Sequence, residues 1–205
     1  MHPQIVIMTV ISILAGVAPA MAQSYEEARK SCGEAPSREQ RIQACSVVIK
    51  AGNEPPEMMA RVYYARGLAY RGTGQNELAL QDYNQAVALK RDFDDAWNSR
   101  CYVKTITGQL QAALQDCNEA LRLNPQNPYA FDSRGFTYLK LGMLDASISD
   151  YNNALQLQPN RPYSMFGRGV ARKRKGDLAG GEADMAAAKA KVPDIAEEFA
   201  RYGVK

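Results

Sequence analysis

The four cysteines could take part in more kinds of chemistry than any other residues of this sequence, and they come in two pairs. Cys101 and Cys117 bracket the stretch "CYVKTITGQLQAALQDC", and Cys32 and Cys45 bracket another. Paired cysteines can bind a metal, exchange electrons or form a structural disulfide. The C-x-x-C spacing typical of zinc sites and redox motifs is absent. We therefore favour structural disulfides, with redox-active or free thiols as the alternatives.

Histidine is the second residue type that limits the chemistry. The only histidine is His2, which lies in an apolar leader that we expect to be removed. A mature chain without histidine cannot use imidazole as a general base or as a metal ligand. This argues against Ser-His-Asp and Cys-His catalysis and against zinc sites that contain histidine. We expect no metal, no cofactor and no enzymatic activity.

Arginine and aspartate recur together at a constant spacing of 34 residues. A catalytic site would appear once, whereas a repeated pair indicates architecture. Because the guanidinium and carboxylate groups can form two parallel hydrogen bonds, we predict ion pairs between helices or between repeated units. The residues are Arg66 with Asp82, Arg100 with Asp116, Arg134 with Asp150, and Arg168 with Asp184.

The elements that position these residues are themselves repeated. Shifting the chain by 34 residues aligns one glycine of every unit: Gly74, Gly108, Gly142 and Gly176. Apolar residues recur at helical spacing on both sides of that glycine, so each unit is predicted to be a pair of helices. The four units are 60–93, 94–127, 128–161 and 162–195.

At these columns the chain resembles the tetratricopeptide-repeat family. Residues 60–93 supply the family's pattern of aromatic and small residues at Tyr63, Gly67, Tyr70, Ala79, Tyr83 and Ala86. The resemblance implies an all-α fold, a right-handed solenoid of antiparallel helix pairs, similar to small exported repeat proteins of Gram-negative bacteria. Residues 23–59 and 196–205 are then expected to cap the two ends of the solenoid.

The repeat also predicts how the cysteines pair. Units one and three carry glycine and tyrosine at the columns that hold Cys101 and Cys117 in unit two. An antiparallel turn brings these two columns together, and Cys32 and Cys45 bracket the turn of the N-terminal cap in a similar manner. A bond between the two pairs would have to cross a whole unit, about 20 Å at the usual spacing of packed helices. We therefore expect Cys32–Cys45 and Cys101–Cys117.

The first 22 residues, "MHPQIVIMTVISILAGVAPAMA", predict a secretory signal peptide. They contain no charged residue, and an apolar run precedes small residues that resemble a cleavage site between Ala22 and Gln23. The positive charges usual at the start of a signal are missing. An uncleaved anchor is the alternative, since the run approaches the length that spans a bilayer. We expect a periplasmic or secreted protein of the bacterial envelope, where disulfides persist, without stable membrane insertion after cleavage.

The resemblance implies that the first helix of each unit lines a concave groove for a peptide or protein segment. Carried over by column, the lining residues are Tyr64, Leu68, Asn98, Tyr102, Asp132, Phe136, Phe166 and Val170. Aromatic anchors beside amide and carboxylate groups are typical of recognition surfaces. The Lys, Asn and Arg residues with which some relatives hold a C-terminal carboxylate are replaced here by Tyr64, Leu68, Ser99, Tyr129 and Ser133.

Residues 168–175, "RGVARKRK", form a basic cluster that is either a solvated helix face or a second binding site. The cluster lacks a row of stackable aromatic residues, which argues against single-stranded nucleic acid. We expect a non-catalytic, monomeric adaptor with a protein or peptide partner and no nucleic acid. The alternatives are a self-assembling envelope scaffold and, with less support, an enzyme with a carboxylate and tyrosine site in the groove.

Overall fold

The computed structural model describes residues 17–204, all of whose regular elements are α-helices. Residues 1–16, the larger part of the predicted signal peptide, lie outside the described residues. The helices are α1 Val17–Glu34, α2 Arg38–Ala51, α3 Pro56–Gly72, α4 Asn76–Leu89, α5 Asp94–Ile106, α6 Leu110–Leu123, α7 Pro128–Lys140, α8 Leu144–Leu157, α9 Pro162–Lys175, α10 Leu178–Lys189 and α11 Ile195–Arg201.

The helices pack in sequential pairs, as the repeat predicted. In each of the four units the first helix packs against the second, and the second packs against the first helix of the next unit. The first helices α5, α7 and α9 also contact one another across the units. This is the arrangement of a helical-repeat solenoid, in which each unit buries its apolar surface against its neighbours. We call the surface formed by α3, α5, α7 and α9 the inner face.

The recurring glycine explains why each unit turns at the same place. Gly74, Gly108, Gly142 and Gly176 follow the first helix of their units, and all four have positive φ angles between 75° and 101°. A side chain at this left-handed conformation would be strained, so glycine is favoured at these turns. The repeat therefore fixes where each first helix ends.

Small residues at the helix crossings allow the backbones to approach closely. Ala79, Ala113 and Ala120 are completely buried. The space beside such residues is filled by Tyr83 and Tyr151, the largest fully buried side chains. Protein interiors pack about as densely as organic crystals, so a large side chain has to fill the space that a small neighbouring residue leaves.

Each arginine of the repeated Arg-Asp columns joins three helices. Arg100 donates from Nε and Nη2 to the two carboxylate oxygens of Asp116 on the second helix of its own unit, at 2.8 and 2.7 Å. Its Nη1 donates to Asn84 Oδ1 on the preceding unit, at 2.9 Å. The same bonds join Arg134 to Asp150 and Asn118, Arg168 to Asp184 and Asn152, and Arg66 to Asp82 and Ser46.

Two disulfides join the cysteines in the predicted pairs. Cys32 and Cys45 connect α1 to α2, with Cα atoms 4.6 Å apart. Cys101 and Cys117 connect α5 to α6, with Cα atoms 5.3 Å apart, and both are fully buried. Both distances lie within the range usual for disulfides, so each helix pair accommodates its bond.

The last helix, α11, packs on the last unit and also reaches the unit before it. It contacts α9 and α10, and Ile195 is completely buried. The ring of Phe199 lies 4.7 Å from that of Phe166 in α9 and 5.4 Å from that of Phe136 in α7. The helix therefore covers part of the last unit and part of the inner face at α7.

Candidate functional site

A cavity of about 330 Å³ lies where α11 covers the inner face. Its walls come from α5, α7, α9 and α11, with one residue each from α3 and α8. The Asn127 side chain accepts hydrogen bonds from the backbone N–H groups of Tyr129 and Ala130. It thereby caps the N-terminus of α7, one of the helices that line the cavity. The lining residues are Arg71, Asn98, Ser99, Tyr102, Tyr129, Asp132, Ser133, Phe136, Tyr151, Arg161, Tyr163, Glu198, Phe199 and Tyr202.

Aromatic rings form most of the apolar surface of the cavity. Tyr102 and Phe136 stack with centroids 6.4 Å apart, and Tyr202 contacts both of them edge-on. At the rim, Tyr129 and Tyr163 are 55% and 41% exposed. Partly exposed aromatic residues around a buried aromatic centre are characteristic of recognition sites.

Asp132 is held by two neighbours instead of being open to a guest. Arg161 donates to its Oδ2 from Nε at 3.1 Å, and Ser164 donates to its Oδ1 at 2.5 Å. Burial raises the pKa of the Asp132 carboxyl, while the Arg161 guanidinium and the Ser164 hydroxyl oppose that rise. Arg161 also lies over the ring of Tyr129, with Cζ 4.2 Å from its centroid. The carboxylate therefore orders the rim of the cavity.

Three of the tyrosine hydroxyls around the cavity are held in the neutral form. Burial raises the pKa of Tyr102 and of Tyr151. Burial, followed by the hydrogen bond that its hydroxyl donates to Glu198, raises the pKa of Tyr163 to about 12. These groups can donate and accept hydrogen bonds at neutral pH, but none of them is prepared to act as a base.

Two residues of the cavity lining each carry a buried polar atom without a hydrogen-bond partner in the described part of the protein. The atoms are Oδ1 of Asn98 and the hydroxyl oxygen of Tyr151. Unpaired buried polar atoms are uncommon because each one loses its bonds to water without replacement. Two residues that line the cavity therefore have unused hydrogen-bonding capacity.

The structure brings together half of the eight groove residues that the sequence indicated. Asn98, Tyr102, Asp132 and Phe136 line the cavity. In α3, Tyr64 and Leu68 pack in apolar clusters of units one and two. Phe166 and Val170 are 3% and 5% exposed, because both belong to the apolar cluster that includes Phe199. They are core residues here and not part of an open groove.

Several cavity residues were not predicted as groove residues. Tyr163 was not identified from the sequence, and Tyr129 was named only as the replacement of a carboxylate-holding residue. Both recur at the repeat spacing beside a helix-starting proline, which is a signal that could have identified them. Glu198, Phe199 and Tyr202 carry no comparable signal, because their position depends on the path of the chain after α10.

The basic cluster at 168–175 is largely neutralised by acidic neighbours. Ion pairs join Arg168 and Arg172 to Asp184, Lys173 to Glu182, and Lys175 to Asp145. Four of its basic side chains are therefore engaged within the protein, and the cluster is a weaker candidate for a binding site than the cavity.

Within residues 17–204, no helix is both long and apolar enough to cross a bilayer. Over the same range, no three Cys, His, Asp or Glu side chains are grouped so that they could hold a metal ion.

Family models for tetratricopeptide repeats match most of the repeated region. One model matches residues 60–93 and 129–161, and a second matches residues 102–142. The first two ranges correspond to units one and three, and the third spans the junction of units two and three. No curated protein sequence matches the chain.

Solved structures of helical-repeat proteins share the fold. MamA 41-end from Desulfovibrio magneticus RS-1 is 18% identical, with a TM-score of 0.68 over 82% of this chain and 92% of that one. A tetratricopeptide repeat protein from Parabacteroides merdae ATCC 43184 is 20% identical, with a TM-score of 0.66 over 83% of this chain and 68% of that one. The Arabidopsis OM64 TPR domain is 23% identical, with a TM-score of 0.56 over 58% and 98%. These structures show that the chain has the fold of a helical-repeat solenoid. The 34-residue columns and the family models show that it is a tetratricopeptide-repeat protein.

Proposed function

We propose that this protein is a non-catalytic, exported adaptor that binds a segment of another protein on its inner face, at the cavity beneath α11. The repeats make it an interaction module. The observation that carries the choice of site is the cavity, where exposed tyrosines at the rim surround buried aromatic rings and unused polar atoms. Anchor residues of protein partners insert into pockets of this kind.

The chemistry of the lining supports binding and not catalysis. Both oxygens of Asp132 accept hydrogen bonds from Arg161 or Ser164, and Glu198 accepts one from Tyr163. An acid-base pair needs a group that is free to exchange a proton with the substrate. The two carboxylates of the cavity are instead used to hold its walls.

Export is supported by the two disulfides together with the predicted signal peptide. Disulfides persist in oxidising compartments such as the periplasm, and cytosolic thiols are kept reduced. The pair at Cys101 and Cys117 is fully buried, so it serves as a staple and not as an exchange site.

Site-directed crosslinking in the native host tests this proposal. A photoreactive aromatic amino acid replaces Tyr129 or Tyr163 at the rim, and in a control it replaces Leu78, which is 38% exposed in α4 and lies outside the cavity. The same protein should be crosslinked from both rim positions and not from position 78. Adding Tyr102→Ala should remove the product. Equal crosslinking from position 78 would contradict the proposed site.

A further inference from the structure

We propose that the cavity receives one tyrosine side chain of the partner protein. This inference rests on the proposed function, since it specifies the chemistry of the segment that binds. It follows from four features of the described residues: the size of the cavity, its rings, its balance of charge and its unpaired polar atoms.

The size of the cavity selects a single side chain. Pockets for small molecules span roughly 300–1,000 Å³, and this cavity of about 330 Å³ lies at the lower end of that range. An extended peptide along the inner face would need the surface of Phe166 and Val170, which belong to the apolar cluster with Phe199. The partner therefore enters with one residue instead of lying along the groove.

The rings select an aromatic side chain. Phe136, Tyr102 and Tyr202 contact one another at centroid distances of 6.2–6.4 Å, and Phe199 adds an edge 5.4 Å from Phe136. Aromatic rings prefer such offset and edge-on neighbours, and each pair contributes beyond the area that it buries. A planar ring can extend this cluster, whereas an aliphatic side chain would make fewer of these contacts.

The charges select a neutral group. Arg161 is neutralised by Asp132, and Arg71 lies over the ring of Tyr102 at 5.4 Å. Glu198 accepts a hydrogen bond from the Tyr163 hydroxyl. The lining thus holds two cationic and two anionic side chains. Because these charges balance, the lining offers no net opposite charge to offset the hydration that an incoming charged group would lose, which is unfavourable in a partly closed site.

The unpaired polar atoms select a hydroxyl. Asn98 Oδ1 can only accept a hydrogen bond, and the Tyr151 hydroxyl can donate or accept one. A phenol hydroxyl can donate to Asn98 Oδ1 and can also accept a hydrogen bond from the Tyr151 hydroxyl. Phenylalanine supplies the ring without the hydroxyl. The indole N–H of tryptophan can donate to either atom but cannot accept from Tyr151, so tyrosine uses the capacity of both atoms best.

Tyr83 provides an internal comparison. Its hydroxyl is also buried without a partner, at the same repeat column as Tyr151, but it lies outside the cavity. An unpaired tyrosine hydroxyl therefore occurs in two units of the repeat, but only that of Tyr151 belongs to a residue of the cavity lining. Tyr83→Phe is accordingly a matched control for Tyr151→Phe.

The test uses the full-length, isotope-labelled protein and two probes that differ only in the hydroxyl, N-acetyl-L-tyrosinamide and N-acetyl-L-phenylalaninamide. NMR titration gives the dissociation constant of each. We expect chemical-shift changes at Tyr102 and Phe136 and about three- to tenfold tighter binding of the tyrosine amide, as one added hydrogen bond gives. Asn98→Leu should reduce the preference to less than about twofold.

Variants and probes that keep the fold complete the test. Tyr151→Phe retains the buried ring and should lower the preference, while Tyr83→Phe should leave it unchanged. Equal binding of the two amides, or shifts confined to residues outside the cavity, would overturn the inference. Tighter binding of free L-tyrosine than of its blocked amide would also overturn it, since the site would then be one for a free amino acid.

The two proposals can fail separately. Crosslinks from Tyr129 and Tyr163 without any preference between the amides would overturn the tyrosine inference and leave the adaptor function standing. A preference for the tyrosine amide without a crosslinked protein would overturn the adaptor function and leave the selectivity of the cavity standing.

Discussion

The ring of Phe199 lies against the ring of Phe136 with their centroids 5.4 Å apart and their planes inclined at 67°. One ring belongs to the last helix and the other to the first helix of unit three. Because Tyr202 contacts Phe136 as well, at 6.2 Å, α11 is attached to the middle of the inner face. This contact converts an open groove into a cavity with a defined volume.

Removing the Phe199 ring should destabilise the protein. Phe199 is 5% exposed, and truncating a buried phenylalanine costs about 3–5 kcal/mol of unfolding free energy. Phe199→Ala is compared with Glu197→Ala, an exposed position of the same helix that should change stability by less than about 0.5 kcal/mol. Chemical denaturation measures both. Equal stability of the two variants would show that α11 does not pack on the inner face.

The buried ion pairs should contribute far more than those on the surface. Asp116 forms ion pairs with both Arg100 and Lys104. Its side chain is only 4% exposed. Asp116→Ala leaves buried cations unpaired, so we expect a loss of about 3–5 kcal/mol. The control is Glu119→Ala on the same helix, whose pair with Arg122 is exposed and should be worth at most about 1 kcal/mol. Similar losses from thermal denaturation would contradict this assignment.

Each disulfide should act as an independent staple. Replacing Cys101 and Cys117 by alanine should lower the unfolding free energy by about 3 kcal/mol, and replacing Cys32 and Cys45 should do the same. Because the Cys101 pair occupies columns that hold glycine and tyrosine elsewhere, the double variant Cys101→Gly and Cys117→Tyr should recover part of the loss by packing. Non-reducing peptide mapping checks the pairing, and a crossed bond would refute it.

Gly167 is required by the close approach of Tyr151. A Cβ atom at position 167 would lie 2.2 Å from Cζ of the Tyr151 ring, which is 1% exposed, so the ring would have to be displaced. Gly167→Ala should therefore cost about 1–3 kcal/mol through overpacking. Gly33→Ala, where nothing lies within 4 Å, should cause no loss. Crystal structures of both variants would show whether the Tyr151 ring is displaced.

Tyr163 should ionise late in an alkaline titration. Its pKa is about 12 in the folded protein, against the model-peptide value of about 10 expected when it is unfolded. The unfolded state therefore releases this proton first, so the contribution of Tyr163 to stability is complete below pH 10 and disappears as the pH rises towards 12. Ultraviolet titration of Tyr163→Phe should lack the component that ionises near pH 12. Glu198→Gln should shift that component to lower pH, and an unchanged titration curve would contradict the assignment.

The elements of this fold were predictable because they recur. Four copies of the same columns identified the paired helices, and the exchange of Gly-Tyr for Cys-Cys in unit two predicted the disulfide between Cys101 and Cys117. Helix α11 occurs once, so no second copy of its sequence was available to support a prediction of where it packs. The path of α11 depends on which apolar surface Phe199 reaches after the chain leaves α10, and no column of the repeat encodes that choice.

The candidate site was predictable in part for the same reason. Asn98, Tyr102, Asp132 and Phe136 were identified from columns of the inner face, and all four line the cavity. The partners of Asp132 were not identified, because Arg161 lies in the turn before α9 and Ser164 had been given no role. Packing of distant segments decides such contacts, and the periodicity of one helix does not report it.

The asparagine column has a consequence for how many units the solenoid can join. The side-chain oxygens of Asn84, Asn118 and Asn152 each accept a hydrogen bond from the arginine of the unit that follows. Unit four has Ala186 at that column, so it has no amide oxygen with which to receive another arginine. These hydrogen bonds therefore run in one direction along the solenoid and stop at unit four. A fifth unit inserted after it would need a side chain at this joint that can accept a hydrogen bond, such as asparagine at position 186 or a hydroxyl like that of Ser46.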